Sequence, residues 1–284
     1  RTWTYRLFGI ALLAVVLAKG VLVYQQRGRR DYFRWHAVAV RVLESQPLAM
    51  TAEEREKPVG KDLRVEEFYR LPPAFAVYVA PLGWLPYPAY VVVWYASSIL
   101  AAAGAVLLTM RLIHGRWLPD PPWAMILPVL LCGYMFHDDV HCGQQNVHIL
   151  FLLVLTGYLA ARPQSWLAGA PIGLAISIKA FAAAALPALL LTRRWKTVAW
   201  AMAWTVVWTL VVPGVVRGFG RHWRETNLWY APIIKPYLVG DSEREWKSRG
   251  LAIKNQALYA AMHRLLSKRE AVTGDRDTPG VYVN

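Results

Sequence analysis

Acidic residues are scarce in this chain: 18 Asp and Glu stand against 32 Lys and Arg, for a net charge of +14. Cysteine is nearly absent. Cys132 and Cys142 form no CxxC and have no metal-ligand spacing, which excludes a disulfide framework or a zinc ribbon and leaves them as small packing residues. There is no GxGxxG, P-loop, GxSxG or HExxH, so a soluble nucleotide-sugar fold is not expected. Internal repeats and low-complexity tracts are missing too. Charge of either sign is low, at 18% of residues. The basic excess falls in short clusters between apolar runs rather than on one face. It therefore points to membrane topology and phosphate-bearing lipids, not to a nucleic-acid partner.

What the chain has in abundance is apolar sequence: 56% of residues, with mean hydropathy +0.27. Leu7–Tyr24, Ala89–Ile113 and Val198–Val216 are long enough to span a bilayer or nearly so. Trp123–Phe136, Val147–Ala161, Trp166–Ile178 and Ala180–Leu191 are shorter and suit paired, tilted or broken helices. The expected fold is an all-α, polytopic membrane helical bundle forming one integral membrane domain over residues 1–284. Its parts are a first transmembrane helix (7–24), an outer loop carrying an amphipathic helix (25–70), a transmembrane bundle (72–216) and an incomplete outer loop (217–284). The first run exceeds a signal-peptide core and lacks a small-residue cleavage site, so it reads as a retained anchor. Lys19 near its outer end can snorkel to the interface. The chain starts with Arg and ends on Thr278–Asn284, and it is expected to be a piece of a longer protein, truncated at the C-terminus.

Arg1–Arg6 suits a cytoplasmic start, which places the residues after Tyr24 outside. Tyr32–Ser45 reads as a surface helix with Phe33, Val40 and Leu43 on one side and Arg34 and Arg41 on the other. Pro72 and Pro73 suit a helix start, and the segment to Leu85 is shorter than the roughly 20 residues of a span, so it is re-entrant or a short tilted helix. Two topologies remain open. Putting Arg111/Arg116, Arg162 and Arg193–Lys196 all inside makes His137–Asn146 an outer loop and Trp166–Leu191 a hairpin with Lys179 at its outer tip. Counting Pro72–Leu85 and Trp166–Leu191 as single spans puts His137–Asn146 inside and Lys179 in mid-membrane. The charge pattern favours the first.

Four places can carry chemistry. Asp31 follows the first apolar run among Arg29, Arg30 and Arg34; a carboxylate there can accept a proton from an attacking hydroxyl, or simply pair with arginine. His137–Asn146 is the most polar insert. His137, Asp138, Asp139 and His141 have metal-ligand chemistry, but the pattern is not a specific one and Gly143 argues for a turn, so no metal is assigned. Gly143–Asn146 suits a helix start that caps itself or holds sugar hydroxyls. Lys179 interrupts an apolar stretch, and its natural partner is a lipid phosphate or an unseen carboxylate. Asn255 opens a helical pattern in a final segment whose Arg217, Arg221, Arg224, Lys235 and Arg249 add charge. Its Trp223, Trp229, Tyr230 and Trp246 could stack on sugar rings or form an interfacial belt.

Short motifs follow one another in order along the chain: Asp31-Tyr32; Phe68-Tyr69 with Pro72-Pro73 and Phe75-Ala76; Pro81-Leu82 with Leu85-Pro86; Gly143-Gln144 with Asn146; Ala168-Gly169 with Gly173-Leu174-Ala175 and Lys179; Arg193-Arg194-Trp195; and Asn255-Gln256. Their order resembles glycosyltransferase family 87. The resemblance implies a GT-C fold, similar to bacterial phosphatidylinositol-mannoside mannosyltransferases. It implies transfer, with inversion, from a polyprenyl-phosphate sugar on the non-cytoplasmic side, with Asp31 as general base. Ala257 stands where the family has serine, the proline usual just after the lysine is missing until Pro187, and the family's later helices are absent.

The expected function is therefore transfer of a mannose-like hexose or a pentose to a lipid or glycan hydroxyl, in a bacterial inner (plasma) membrane. The alternative is a non-catalytic lipid or glycan transporter or flippase that binds phosphate head groups. Lys179, Arg29, Arg30 and Arg34 are expected at the donor phosphate. Gln144, Asn146, His141, Asn255 and Gln256 are expected at the sugar. The partners are the lipid-linked donor, the acceptor and membrane lipids. No cofactor is expected and no metal is required, because phosphate is already a good leaving group.

Overall fold

The computed structural model describes residues 2–26, 31–48, 71–162 and 165–233. The described residues are helical, joined by turns, with no strand among them. The chain is an all-α membrane helical bundle, as composition requires. It divides into Arg1–Thr226 and Asn227–Asn284. Of the second unit only the helical residues 227–233 are described.

Three helical stretches are long and apolar enough to cross a membrane: Trp3–Gln25, Tyr87–His114 and Trp195–Arg217. The first lies in α1 (Thr2–Gln25), which exposes Leu7, Ile10, Leu13 and Leu17. A helix apolar on every side with its leucines outward suits lipid, not water. It packs on α4 (Tyr87–His114): Gly20 abuts the Tyr95 ring and Tyr95 donates to Val16 O at 2.6 Å. At the other end of α1, Tyr5 donates to Pro119 O, so the two helices run antiparallel.

Helix α2 (Asp31–Leu43) buries Tyr32, Trp35, Val38, Ala39 and Val42, a stripe of spacing three and four. This differs from the face expected of Phe33, Val40 and Leu43. Phe33 is exposed, because the two aromatics with polar tips bury their rings and still find acceptors. Helix α3 (Pro73–Val79) and the 3-10 turn Ala80–Trp84 lie against α2. Phe75 meets the Trp35 ring edge-on, Gly83 fits against the Ala39 backbone, and the His36 Nε2–H donates to Leu85 O at 2.9 Å. Both ends of this segment thus touch α2, so it does not cross the bundle.

Helix α5 (Trp123–Cys142) returns towards α2, and α6 (Asn146–Ala160) runs beside α4 in the same direction, with Phe151 on Gly104 and Leu112 on Gly157. Helix α7 (Gly169–Ile178) packs on α9 (Trp195–Val206) through glycines: Gly169 meets Trp200 and Gly173 meets Trp204. Both positions advance together, so α7 and α9 are parallel. The 3-10 stretch Ala180–Ala185 and α8 (Leu186–Leu191) between them must therefore run back. That is the hairpin favoured by the charge pattern, with Lys179 at its tip. Arg6, Arg111, Arg116, Arg162, Arg193 and Arg194 gather at one end of the bundle; Asp31, Gly143 and Lys179 lie at the other.

After α9 a π-helical turn, Val207–Val211, leads into α10 (Val212–Arg217) and α11 (Phe219–Ile233). Arg217 is buried and paired with Glu225, which also accepts from Arg221 and from the Leu48 amide at 3.2 Å. Arg217 donates to Gln46 O at 2.8 Å as well. Arg217 and Glu225 thus fasten α10 and α11 to the residues that follow α2, while Arg221 pairs with Glu225 within α11. Severing a buried pair of this kind costs about 3–5 kcal/mol.

Candidate active site

The site is built on the turn between α5 and α6. Helix α5 ends on Gly143 in the left-handed region (φ 73°), with the Gln144 amide closing back to Asp139 O at 2.9 Å. Glycine is required twice over, since a Cβ there would also enter the Tyr32 ring. Three aromatic donors clamp this turn. Trp35 and Trp94 each donate Nε1–H to Gly143 O at 3.0 Å, and Tyr32 donates to Val140 O at 2.7 Å. Burial raises the pKa of the Tyr32 phenol, which keeps it a donor.

Asn146, the first residue of α6, connects the turn to the hairpin tip. Its Nδ2 donates to Asp139 Oδ1 and to Gln144 Oε1, both at 2.6 Å, and its Oδ1 accepts from Lys179 Nζ at 2.8 Å. The second oxygen of Asp139 accepts the Val147 amide at 3.0 Å. So α6 is capped by Asp139 from the preceding helix, while its own first residues make no side-chain cap. Lys179 sits in extended backbone (φ −152°) between α7 and the following 3-10 stretch, with Nζ 5.3 Å from the Phe181 ring centre.

Asp31 opens α2, where the helix dipole favours a carboxylate, and it pairs with Arg34 at 2.9 Å. Because Tyr32 is packed on Gly143, Asp31 stands at the same end as the turn, and both Asp31 and Asp139 act electrostatically on the Lys179 ammonium. The structure thus brings together Asp31, Arg34, Gln144, Asn146 and Lys179. Arg29, Arg30, Asn255 and Gln256 lie outside the described residues. His141 lies in the last turn of α5 and stacks face to face with His137, ring centres 5.7 Å apart. The helix therefore runs through the polar insert, and the turn is confined to its end. Among the described residues no three His, Cys, Asp or Glu side chains are grouped to hold a metal ion.

Sequence reasoning missed Trp35 and Trp94 as parts of the site, and read Asp139 only as a possible metal ligand. The i, i+3 aromatics of α2 were a readable signal; nothing local pairs Asp139 with Asn146. Tyr90 was also missed. It is fully buried beside His36 and Trp94, and its hydroxyl has no hydrogen-bond partner among the described residues.

A family model for glycosyltransferase family 87 matches residues 69–266, more than half of the chain. The chain belongs to glycosyltransferase family 87. It is, accordingly, a membrane glycosyltransferase by family. The family match takes in Gly143–Asn146 and Lys179, while Asp31 and Arg34 precede it. Comparison with curated proteins and with solved structures gives no significant match.

Proposed function

We propose that this family 87 protein transfers a sugar from a polyprenyl-phosphate donor to a lipid or glycan hydroxyl, with inversion. The convergence of Asp31 and Lys179 on one turn, from helices far apart in the chain, carries this reading. In the proposed step the acceptor hydroxyl gives its proton to the Asp31 carboxylate as its oxygen attacks the anomeric carbon. The bond from that carbon to the phosphate oxygen breaks with its electron pair, and polyprenyl phosphate departs. Lys179, with Arg34 and the neighbouring Arg29 and Arg30, offsets the negative charge on the leaving phosphate. Gln144 faces the sugar: its carbonyl is held by Asn146, and its amide nitrogen makes no hydrogen bond among the described residues. Asn146 has both amide hydrogens committed, so its part is to orient Gln144 and Lys179 rather than to donate to the sugar. Asn255 and Gln256 are further sugar-binding candidates. The excess of arginine at the far end of the bundle supports a cytoplasmic assignment there and a non-cytoplasmic site, in a bacterial plasma membrane.

The test is an assay of the full-length protein in lipid with a panel of polyprenyl-phosphate sugars. Transfer is expected from at least one of them. Lys179→Ala should lower kcat/KM by a factor of about 10 to 100, the loss of one or two charge-assisted hydrogen bonds to phosphate. No transfer from any such donor, or full activity in Lys179→Ala, would overturn the assignment.

A further inference from the structure

We propose that Asp139 is a positioning residue, which presents Lys179 to the donor phosphate by fixing the orientation of the Asn146 amide. This rests on the reading of Lys179 as the phosphate cation.

The argument is one of donors and acceptors. An asparagine amide has a donating face and an accepting face, and the two differ only by a half-turn about the last side-chain bond. Around Asn146 the neighbours are not interchangeable. A carboxylate only accepts, and Asp139 Oδ1 lies 2.6 Å from Nδ2. An ammonium only donates, and Lys179 Nζ lies 2.8 Å from Oδ1. Gln144 Oε1, also 2.6 Å from Nδ2, takes the second amide hydrogen. With Asp139 ionised, a single orientation satisfies all three contacts. Turned over, the amide would aim hydrogens at the ammonium and its oxygen at the carboxylate.

Asp139 is itself held: its other oxygen accepts the Val147 amide in the first turn of α6, and the residue is only 8% exposed. It is too enclosed to meet a lipid head group, and the hydrogen-bonded route from it to Lys179 runs through the Asn146 amide. The arrangement also separates the charges. Asp139 is close enough to act on Lys179 electrostatically, yet an amide lies between them. A direct ion pair would engage the ammonium with a fixed carboxylate. The interposed amide uses one of its three hydrogens and leaves two for phosphate oxygens. Asp31 is the other carboxylate acting on Lys179, and Arg34 faces Asp31.

The test is a double-mutant cycle on the full chain in lipid nanodiscs, reading affinity for a polyprenyl phosphate without sugar, at constant pH and salt. Asp139→Asn is expected to weaken binding about tenfold in the wild-type background, and less than about twofold when Lys179 is already Met. If Asp139 served only to cap α6, the factor would be the same in both backgrounds, and that result overturns the proposal. Asn146→Leu removes the middle of the relay while leaving the Asp139 cap on Val147. It should reproduce the loss seen in Asp139→Asn, and it decides the matter if Asp139→Asn does not fold or if Lys179→Met binds too weakly to measure; full binding by Asn146→Leu contradicts the relay. Should wild type bind no polyprenyl phosphate, or Lys179→Met bind as wild type does, the phosphate role of Lys179 fails and the relay with it. Should Lys179→Met weaken binding while Asp139→Asn and Asn146→Leu do not, the relay alone fails.

Discussion

His222 lies in the first turn of α11, buried, with its Nε2–H donating to the Thr209 carbonyl at 2.7 Å. Burial lowers its pKa from the ordinary 6.5; the Thr209 bond and Glu225 oppose that shift and Arg217 adds to it. A folded-state pKa below the unfolded one means that the unfolded chain binds the proton first. Stability from this group is complete above about pH 6.5 and is lost as pH falls towards the folded value. A thermal melt at pH 5 should therefore sit below one at pH 7.5, and His222→Gln should shrink that gap; an unchanged gap would show that other groups set the acid limit. At this scale the legible residues were chemical oddities. Asp31 and Lys179 stand out because a charge beside or within an apolar run has few ordinary reasons to be there. Asp139 was legible only as one of several polar side chains in the His137–Asn146 insert: its value lies in partners seven and eight positions on, across a turn whose geometry only folding creates.

Among the elements, the α5–α6 turn is held by a left-handed glycine and three aromatic donors. Gly143→Ala would put a side chain in the left-handed region, at about 1–2 kcal/mol, and force it into Tyr32, at about 1–3 kcal/mol more. The expected outcome is a loss of roughly 2–5 kcal/mol in unfolding free energy. Transfer should fall too, because the ring that would move adjoins Asp31. A variant as stable and active as wild type would mean that the turn tolerates another path. The existence and type of the long helices were readable from apolar length alone. The face of α2 was not, because it is set by Tyr32 and Trp35, whose polar tips reach acceptors on the α5–α6 turn that only folding brings near. Segment 73–84 was legible as too short to span, but its docking on α2 depends on fits such as Gly83 against Ala39, which no local pattern announces.

For the molecule as a whole, the packing gives the return that the charge pattern favours: α7 and α9 run parallel, so the chain comes back between them, and Lys179 and Arg193 stand at opposite ends of that return. Single cysteines in a Cys132→Ser/Cys142→Ser background test this. Cysteine at Gln46 should label from one side of the membrane, and cysteines at Arg116 and Thr192 from the other; labelling of Thr192 from the Gln46 side would break the hairpin. The site exists only because the bundle folds residues nearly 150 positions apart onto one end, a separation typical of sites shared among helices of a bundle. Its central claim is that the carboxylate at the start of α2 is the base. The most direct measurement compares wild type with Asp31→Asn in lipid, following both transfer from a polyprenyl-phosphate sugar and binding of that donor. The account predicts transfer reduced by a factor of about 100 to 10,000, the range of general-base catalysis, with donor binding retained. Transfer at the wild-type rate in Asp31→Asn would contradict it.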